Sequence, residues 1–250
     1  MTLAEAVPHT RAMSGSEVRL NLFYGDRLEY RFCTPQWRST RHPVAWRDLV
    51  AALDDVDPKR CQRLLLGESP LEHPQFHALL DACRERGIGH LAVETDGASL
   101  AAEGVVDDLA ARGVEKLFVV CPGLRRRVHE QVMQSPGCFD DAMRGLRRAA
   151  LGAPQLYVVV PVLRWTEADV DPLLDALLAL PGKVQGVLLS VPEVSQVPDV
   201  MRKVLLPHGA LAKVAARAFA QCQRVGVERG FTVKRGVLPC AARGALDRFG

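Results

Sequence analysis

Between Val18 and Gly230 a short aliphatic run followed by a longer amphipathic one recurs six times. The short runs are Val18–Tyr24, Arg63–Ser69, His90–Gly97, Lys116–Gly123, Gln155–Trp165 and Lys183–Glu193. The runs of helical period are Pro43–Leu53, Pro74–Gly87, Ser99–Gly113, Phe139–Gly152, Thr166–Leu180 and Ala210–Gly230. Helix signals sit where such a reading needs them. Pro43 suits a first turn, Gly87 and Gly113 suit C-terminal stops, and Thr166 with Asp169 is placed as a capping box. A longer connection around His129–Gly137 separates the fourth strand from its helix, and Phe231–Gly244 reads as a final strand or loop.

Apolar strands alternating with helices predict a parallel sheet covered by helices. Such a sheet is either open and doubly wound or rolled toward a barrel. The first strand is not followed by the G-x-G-x-x-G turn of a dinucleotide-binding half, which favours a barrel or partial barrel. Functional residues of a barrel lie at the C-terminal ends of its strands. Turn and polar residues gather there: Gly25-Asp26, Gly67-Glu68-Ser69-Pro70, Glu94-Thr95-Asp96-Gly97, Cys121-Pro122-Gly123, Arg164-Trp165 and Ser190 to Glu193.

Composition excludes several classes. No run of eighteen apolar residues exists to span a bilayer. Residues 1–16 lack the apolar core of a signal peptide and read as a flexible leader, with 17–250 as a single domain. Cytoplasmic localisation is the default expectation. A net charge of +3 is too small to imply a nucleic-acid partner. Arg125 to Arg127 and the set Arg144, Arg147 and Arg148 read as solvated faces. The 7 cysteines include no C-x2-C pair, so Cys61, Cys83, Cys121 and Cys222 are expected as small buried residues. Asp26, Cys33, His42 and His73 follow no zinc spacing. His129-Glu130 reads as a structural turn, and no Ser-His-Asp elbow is present.

Four short stretches in this order resemble the radical S-adenosylmethionine (radical SAM) superfamily. The first strand runs into Asp26-x3-Tyr30-x2-Cys33. The second ends in Gly67-Glu68-Ser69-Pro70, similar to that family's Gly-Gly-Glu-Pro turn. The third ends in Glu94-Thr95-Asp96-Gly97, close to Glu-Thr-Asn-Gly. The fourth is followed by HEQVMQSPGCFDDAMRGLRRA, similar to the family's His-acidic and Pro-Gly-x-Phe segment. The resemblance spans Val18 to Cys240 and implies an α/β fold, a partial (β/α)6 TIM-like barrel.

The resemblance also implies where chemistry is lost. In the family three cysteines at this x3-x2 spacing hold a 4Fe-4S cluster, because soft thiolates are the ligands such clusters require. Here Asp26 and Tyr30 replace two of them and Cys33 remains, so no 4Fe-4S cluster is expected. S-adenosylmethionine binding stays open: Glu68 and Ser69 alter the turn that meets its amino group, while Gly67, Thr95 and Asp96 stay as candidate ligand-binding residues. The leading expectation is a pseudoenzyme without radical SAM chemistry. It would act as a binding or accessory partner of an active radical SAM enzyme or its peptide or small-molecule substrate. The alternative is a non-radical enzyme using S-adenosylmethionine or another nucleotide in the barrel mouth.

Overall fold

In a computed structural model of the chain, the residues described are 11–13, 17–24, 42–67, 69–133, 135–192 and 203–234. The strands are β1 (Arg11–Met13), β2 (Glu17–Asn21), β3 (Phe23–Tyr24), β4 (His42–Pro43), β5 (Arg63–Gly67), β6 (Leu91–Thr95), β7 (Val114–Val120), β8 (Gln155–Pro161), β9 (Val184–Pro192) and β10 (Glu228–Lys234). The helices are α1 (Trp46–Asp54), α2 (Phe76–Glu85), α3 (Val105–Ala111), α4 (Arg126–Met133), α5 (Phe139–Leu151), α6 (Val170–Leu178) and α7 (His208–Arg224).

Seven strands, β2 and β5 through β10, pair in parallel and in chain order. β1 lies antiparallel on β2, so a strand falls within the stretch read as a leader. The small β3–β4 pair stands apart from this sheet. The sheet's two end strands, β1 and β10, are not joined among the described residues, which leaves the barrel partial. The expected α/β partial barrel is the observed fold.

Strand periodicity explains the two layers. Side chains alternate across a sheet, so Leu64 and Leu66 of β5 enter the core beneath the helices while Leu65 turns to the other, concave face. The helix-side core runs without a break from Leu20 on β2 to Cys222 on α7. Each Leu fully buried in it contributes about 1.5–3 kcal/mol. A second, smaller cluster fills the concave face, built on Ala92, Phe118, Val120 and Val159. Cys61, Cys83, Cys121 and Cys222 are buried free thiols, as their positions in strand-like and helix-like runs led us to expect.

Three local readings are corrected. The connection around His129–Gly137 contains most of a helix, α4, whose Val128 and Val132, four apart, share one face. The last helix stops at Arg224 instead of reaching Gly230. Gly226 has φ 71°, its N–H bonds the Gln223 carbonyl, and the Val227 N–H bonds that of Cys222. That is a Schellman stop, and β10 begins two residues later. Thr166 and Asp169 make no capping box; neither side chain caps a helix. Among the described residues no helix is long and apolar enough to cross a membrane.

Candidate functional site

The C-terminal strand ends form the candidate site. Asp26, Tyr30, Cys33 and Glu68 lie outside the described residues, as does Cys240. Gly67, Ser69, Thr95 and Asp96 are described, at the adjoining ends of β5 and β6.

Gly67 closes β5 opposite Asn21 of β2. Over it lies the guanidinium of Arg19. Its Nη2 donates to Glu94 Oε1 at 2.9 Å and its Nη1 to Glu94 Oε2 at 3.1 Å, while Nε donates to Asn21 Oδ1 at 2.9 Å. Arg19 thus crosses the whole width of β5 to reach β6. The crossing is open only because Gly67 has no side chain: a Cβ there would sit 2.6 Å from Nη2 and 2.7 Å from Asn21 Oδ1. Glu94 is buried, and the paired guanidinium meets its charge where an unpaired carboxylate would be costly.

Ser69 is buried in a left-handed conformation, φ 52° and ψ 58°, and is the non-glycine residue with positive φ among those described. It turns the chain from β5 into the short helical turn Pro70–Glu72. His73, buried just beyond, is structural: Nε2 lies 3.1 Å from the Val44 carbonyl, and Nδ1 accepts the Gln75 N–H at 3.2 Å.

Thr95 and Asp96 are both buried and both bond the local turn. Thr95 Oγ1 accepts the Gly97 N–H at 3.2 Å and Asp96 Oδ1 accepts the Ala98 N–H at 3.0 Å. Gly97 takes φ 84°, and α5 presses on it at Gly145, where any Cβ would run into the Gly97 carbonyl oxygen. The geometry brings Gly67, Thr95 and Asp96 to one end of the sheet, with Thr95 and Asp96 bonding their own backbone.

The neighbouring strand ends are clamped by charge. Arg125 Nε and Nη2 donate to the two oxygens of the buried Asp169 at 2.6 and 2.8 Å, which ties the β7–α4 loop to the start of α6. Arg126 reaches Asp140 at 2.6 Å and stacks over the Phe139 ring. These arginines are exposed as expected, yet each has a specific partner. Thr166 donates its hydroxyl to the Pro161 carbonyl at 2.6 Å and accepts the Leu163 N–H at 2.8 Å, fixing the turn that leaves β8.

His129 is fully buried against the edge of Phe139, with Nδ1 3.4 Å from the Gly123 carbonyl. Its Nε2 has no hydrogen-bond partner among the described residues. Burial holds its pKa below the ordinary value of 6.5, so the ring is neutral at pH 7. Val132, Met133, Leu163 and Val204 pack with the concave-face cluster.

The opposite end of the concave face carries a second polar group. Arg63 pairs with Glu17 at 2.9 Å and lies over Phe118, which stacks on Tyr157 at 5.2 Å. Tyr157 donates to Glu228 at 2.8 Å; burial and this bond push its pKa up to about 12.

Among the described residues the free cysteines are not activated as nucleophiles. Burial pushes the Cys83 and Cys121 thiols up to about 12 and raises Cys138, so all three are protonated at neutral pH. Among the described residues no three His, Cys, Asp or Glu side chains are grouped to hold a metal. Arg19 and Asn21 went unnoticed in the sequence reading, although their spacing carried a signal. Polar residues alternating with Val18, Leu20 and Leu22 mark a strand with one polar face.

No family model matches the sequence, and the curated proteins give no match. Solved structures do match in fold. The crystal structure of Streptococcus suis SuiB bound to S-adenosylmethionine superposes with TM-score 0.63 at 14% identity, over 87% of this chain and 47% of that one. The chain therefore spans about half the length of SuiB. A domain of pyruvate-formate lyase-activating enzyme from Bacteroides vulgatus matches with TM-score 0.51 at 21% identity, over 66% of this chain and 95% of that domain. Native anSMEcpe with bound AdoMet matches with TM-score 0.62 at 13% identity, over 85% and 63%. The chain has the α/β partial-barrel fold of radical SAM enzymes, with its parallel sheet of seven strands.

Proposed function

We propose that this chain is a radical-SAM-like pseudoenzyme. It has kept the partial barrel, given up cluster chemistry, and acts by binding an active radical SAM enzyme or that enzyme's peptide or small-molecule substrate. One observation carries the reading: the x3-x2 frame after the first strand offers one thiol, Cys33, beside a carboxylate, Asp26, and a phenol, Tyr30. A 4Fe-4S cluster needs soft thiolate ligands. Tyr30 offers a phenol oxygen and Asp26 a carboxylate, both hard donors where the cluster takes soft ones. The donor set does not fit the cluster.

The described cysteines are not grouped into a substitute ligand set. Cys61, Cys83, Cys121 and Cys222 are buried within the helix-side core, on the loop before β5, on α2, just past β7 and on α7. A peptide as ligand is supported by what the fold has been solved with elsewhere. SuiB has a structure bound to its precursor peptide SuiA, and anSMEcpe has one with a peptide alongside AdoMet.

Anaerobic reconstitution with iron and sulfide tests the loss of chemistry. The expected product is a chain with no stoichiometric cluster and no 5′-deoxyadenosine on reduction with S-adenosylmethionine. About four irons per chain together with cofactor-dependent 5′-deoxyadenosine would sink the reading. Co-purification and mass spectrometry test the partner, with an intact radical SAM enzyme or its substrate peptide as the expected companion. Calorimetric titration with S-adenosylmethionine separates this role from a non-radical enzyme that uses the cofactor. Tight binding lost in Asp26→Ala favours the enzyme.

A further inference from the structure

Arg19 is a strand residue whose guanidinium is held flat across a neighbouring strand, and three features of its surroundings have the form of a receptor. Glu94 presents both carboxylate oxygens to it, at 2.9 and 3.1 Å, in the two-point pairing that suits a planar guanidinium. Asn21 Oδ1 takes the third donor, Nε, at 2.9 Å and sets the plane. Gly67 supplies the floor, where a Cβ would stand 2.8 Å from the guanidinium carbon. Glycine within a strand gives up packing and costs backbone entropy, and here its bare backbone admits the group above it. The pair is also not sealed: the Arg19 side chain keeps 21% of its surface exposed against 8% for Glu94. The cation is thus the more solvent-exposed member of the pair and the carboxylate the more deeply held one.

We propose that Glu94, Asn21 and the backbone of Gly67 form a guanidinium subsite on the concave face. Its resident occupant is the chain's own Arg19, and an arginine side chain of a bound peptide takes that place when Arg19 swings out. That the incoming group belongs to a peptide rests on the binding role argued above; the subsite itself does not. Arg19 then acts as an internal competitor, keeping Glu94 neutralised until a better-placed guanidinium arrives.

The probe is methylguanidinium at millimolar concentration, added to the full-length chain and read by thermal unfolding. Arg19→Ala is expected to lower the unfolding midpoint. Methylguanidinium is then expected to raise it by about 3–6 °C at ten times its dissociation constant. The wild type, whose subsite is filled, and Arg19→Ala/Glu94→Gln, which has lost the carboxylate, should show no such rise. If Arg19→Ala is recovered only unfolded, its refolding yield with and without methylguanidinium gives the same two outcomes. An equal response in all three proteins, or none in Arg19→Ala, overturns the subsite. Equal rescue by methylammonium overturns its selectivity for a planar cation. Neither result touches the iron reconstitution, so the pseudoenzyme reading stands or falls separately.

Discussion

Gly67, Ser69 and His129 are the positions where single atoms decide what the site tolerates. Gly67→Ala puts a methyl group against Arg19 and Asn21; we expect a loss of about 1–3 kcal/mol, measured by urea unfolding. The loss should shrink when Arg19→Ala is made as well, since the clash partner is then gone. Ser69 holds a left-handed backbone that costs a non-glycine residue about 1–2 kcal/mol. Ser69→Gly should therefore leave stability unchanged or raise it, and Ser69→Val should lower it. His129 is a pH element. Its folded pKa lies below 6.5 because burial disfavours the charged ring, so the unfolded chain binds the proton first. Its stabilising contribution is complete above pH 6.5 and is lost as pH falls from there toward the folded pKa. A His129→Phe chain should show a flatter fall in melting temperature through that interval; an unchanged slope would refute the assignment. Part of this was legible in the sequence. The turn residues at the ends of β5 and β6 stand out, but the Arg19–Glu94 pair joins strands 75 positions apart and becomes visible only with the order of strands.

At the scale of elements, α4 shows where reading from pattern alone falls short. Its apolar face is narrow, with polar residues at most other positions, so the segment reads as a connection. Burial of Val132 and Met133 against the concave face makes it a helix. The clamp between Arg125 and Asp169 then holds the loop that precedes it. Arg125→Ala leaves Asp169 buried without this donor pair and should lower stability in urea unfolding. Amide exchange should accelerate across 126–133 before it does so in β7 or β8; uniform acceleration would show that the clamp does not act locally. The capping box at Thr166 failed for a related reason. The spacing was right, but both side chains bond elsewhere: Thr166 to the Pro161 carbonyl in the turn leaving β8, and Asp169 to the Arg125 guanidinium. The end of α7 could have been read correctly. Gly226 was present as a stop signal, and the alternation of Val225 and Val227 around it belongs to the approach to β10.

For the whole molecule, the fold was the most legible layer, because six repeats of one local pattern admit few architectures. The continuous helix-side core from Leu20 to Cys222 leads us to expect one cooperative calorimetric transition; two resolved transitions would show that the sheet breaks into independent halves. The candidate site was less legible, since its chemistry depends on which strands are neighbours. That neighbourhood has a consequence for how the chain is made. Each parallel strand from β5 onward pairs with the one before it in this sheet, so the sheet's spatial order is the order in which a ribosome releases it. Every new strand–helix unit finds its docking edge already exposed, and long searches between distant segments are avoided. The barrel can grow as it is synthesised, and the guanidinium of Arg19 waits for Glu94 only as long as it takes to translate two further strands of this sheet.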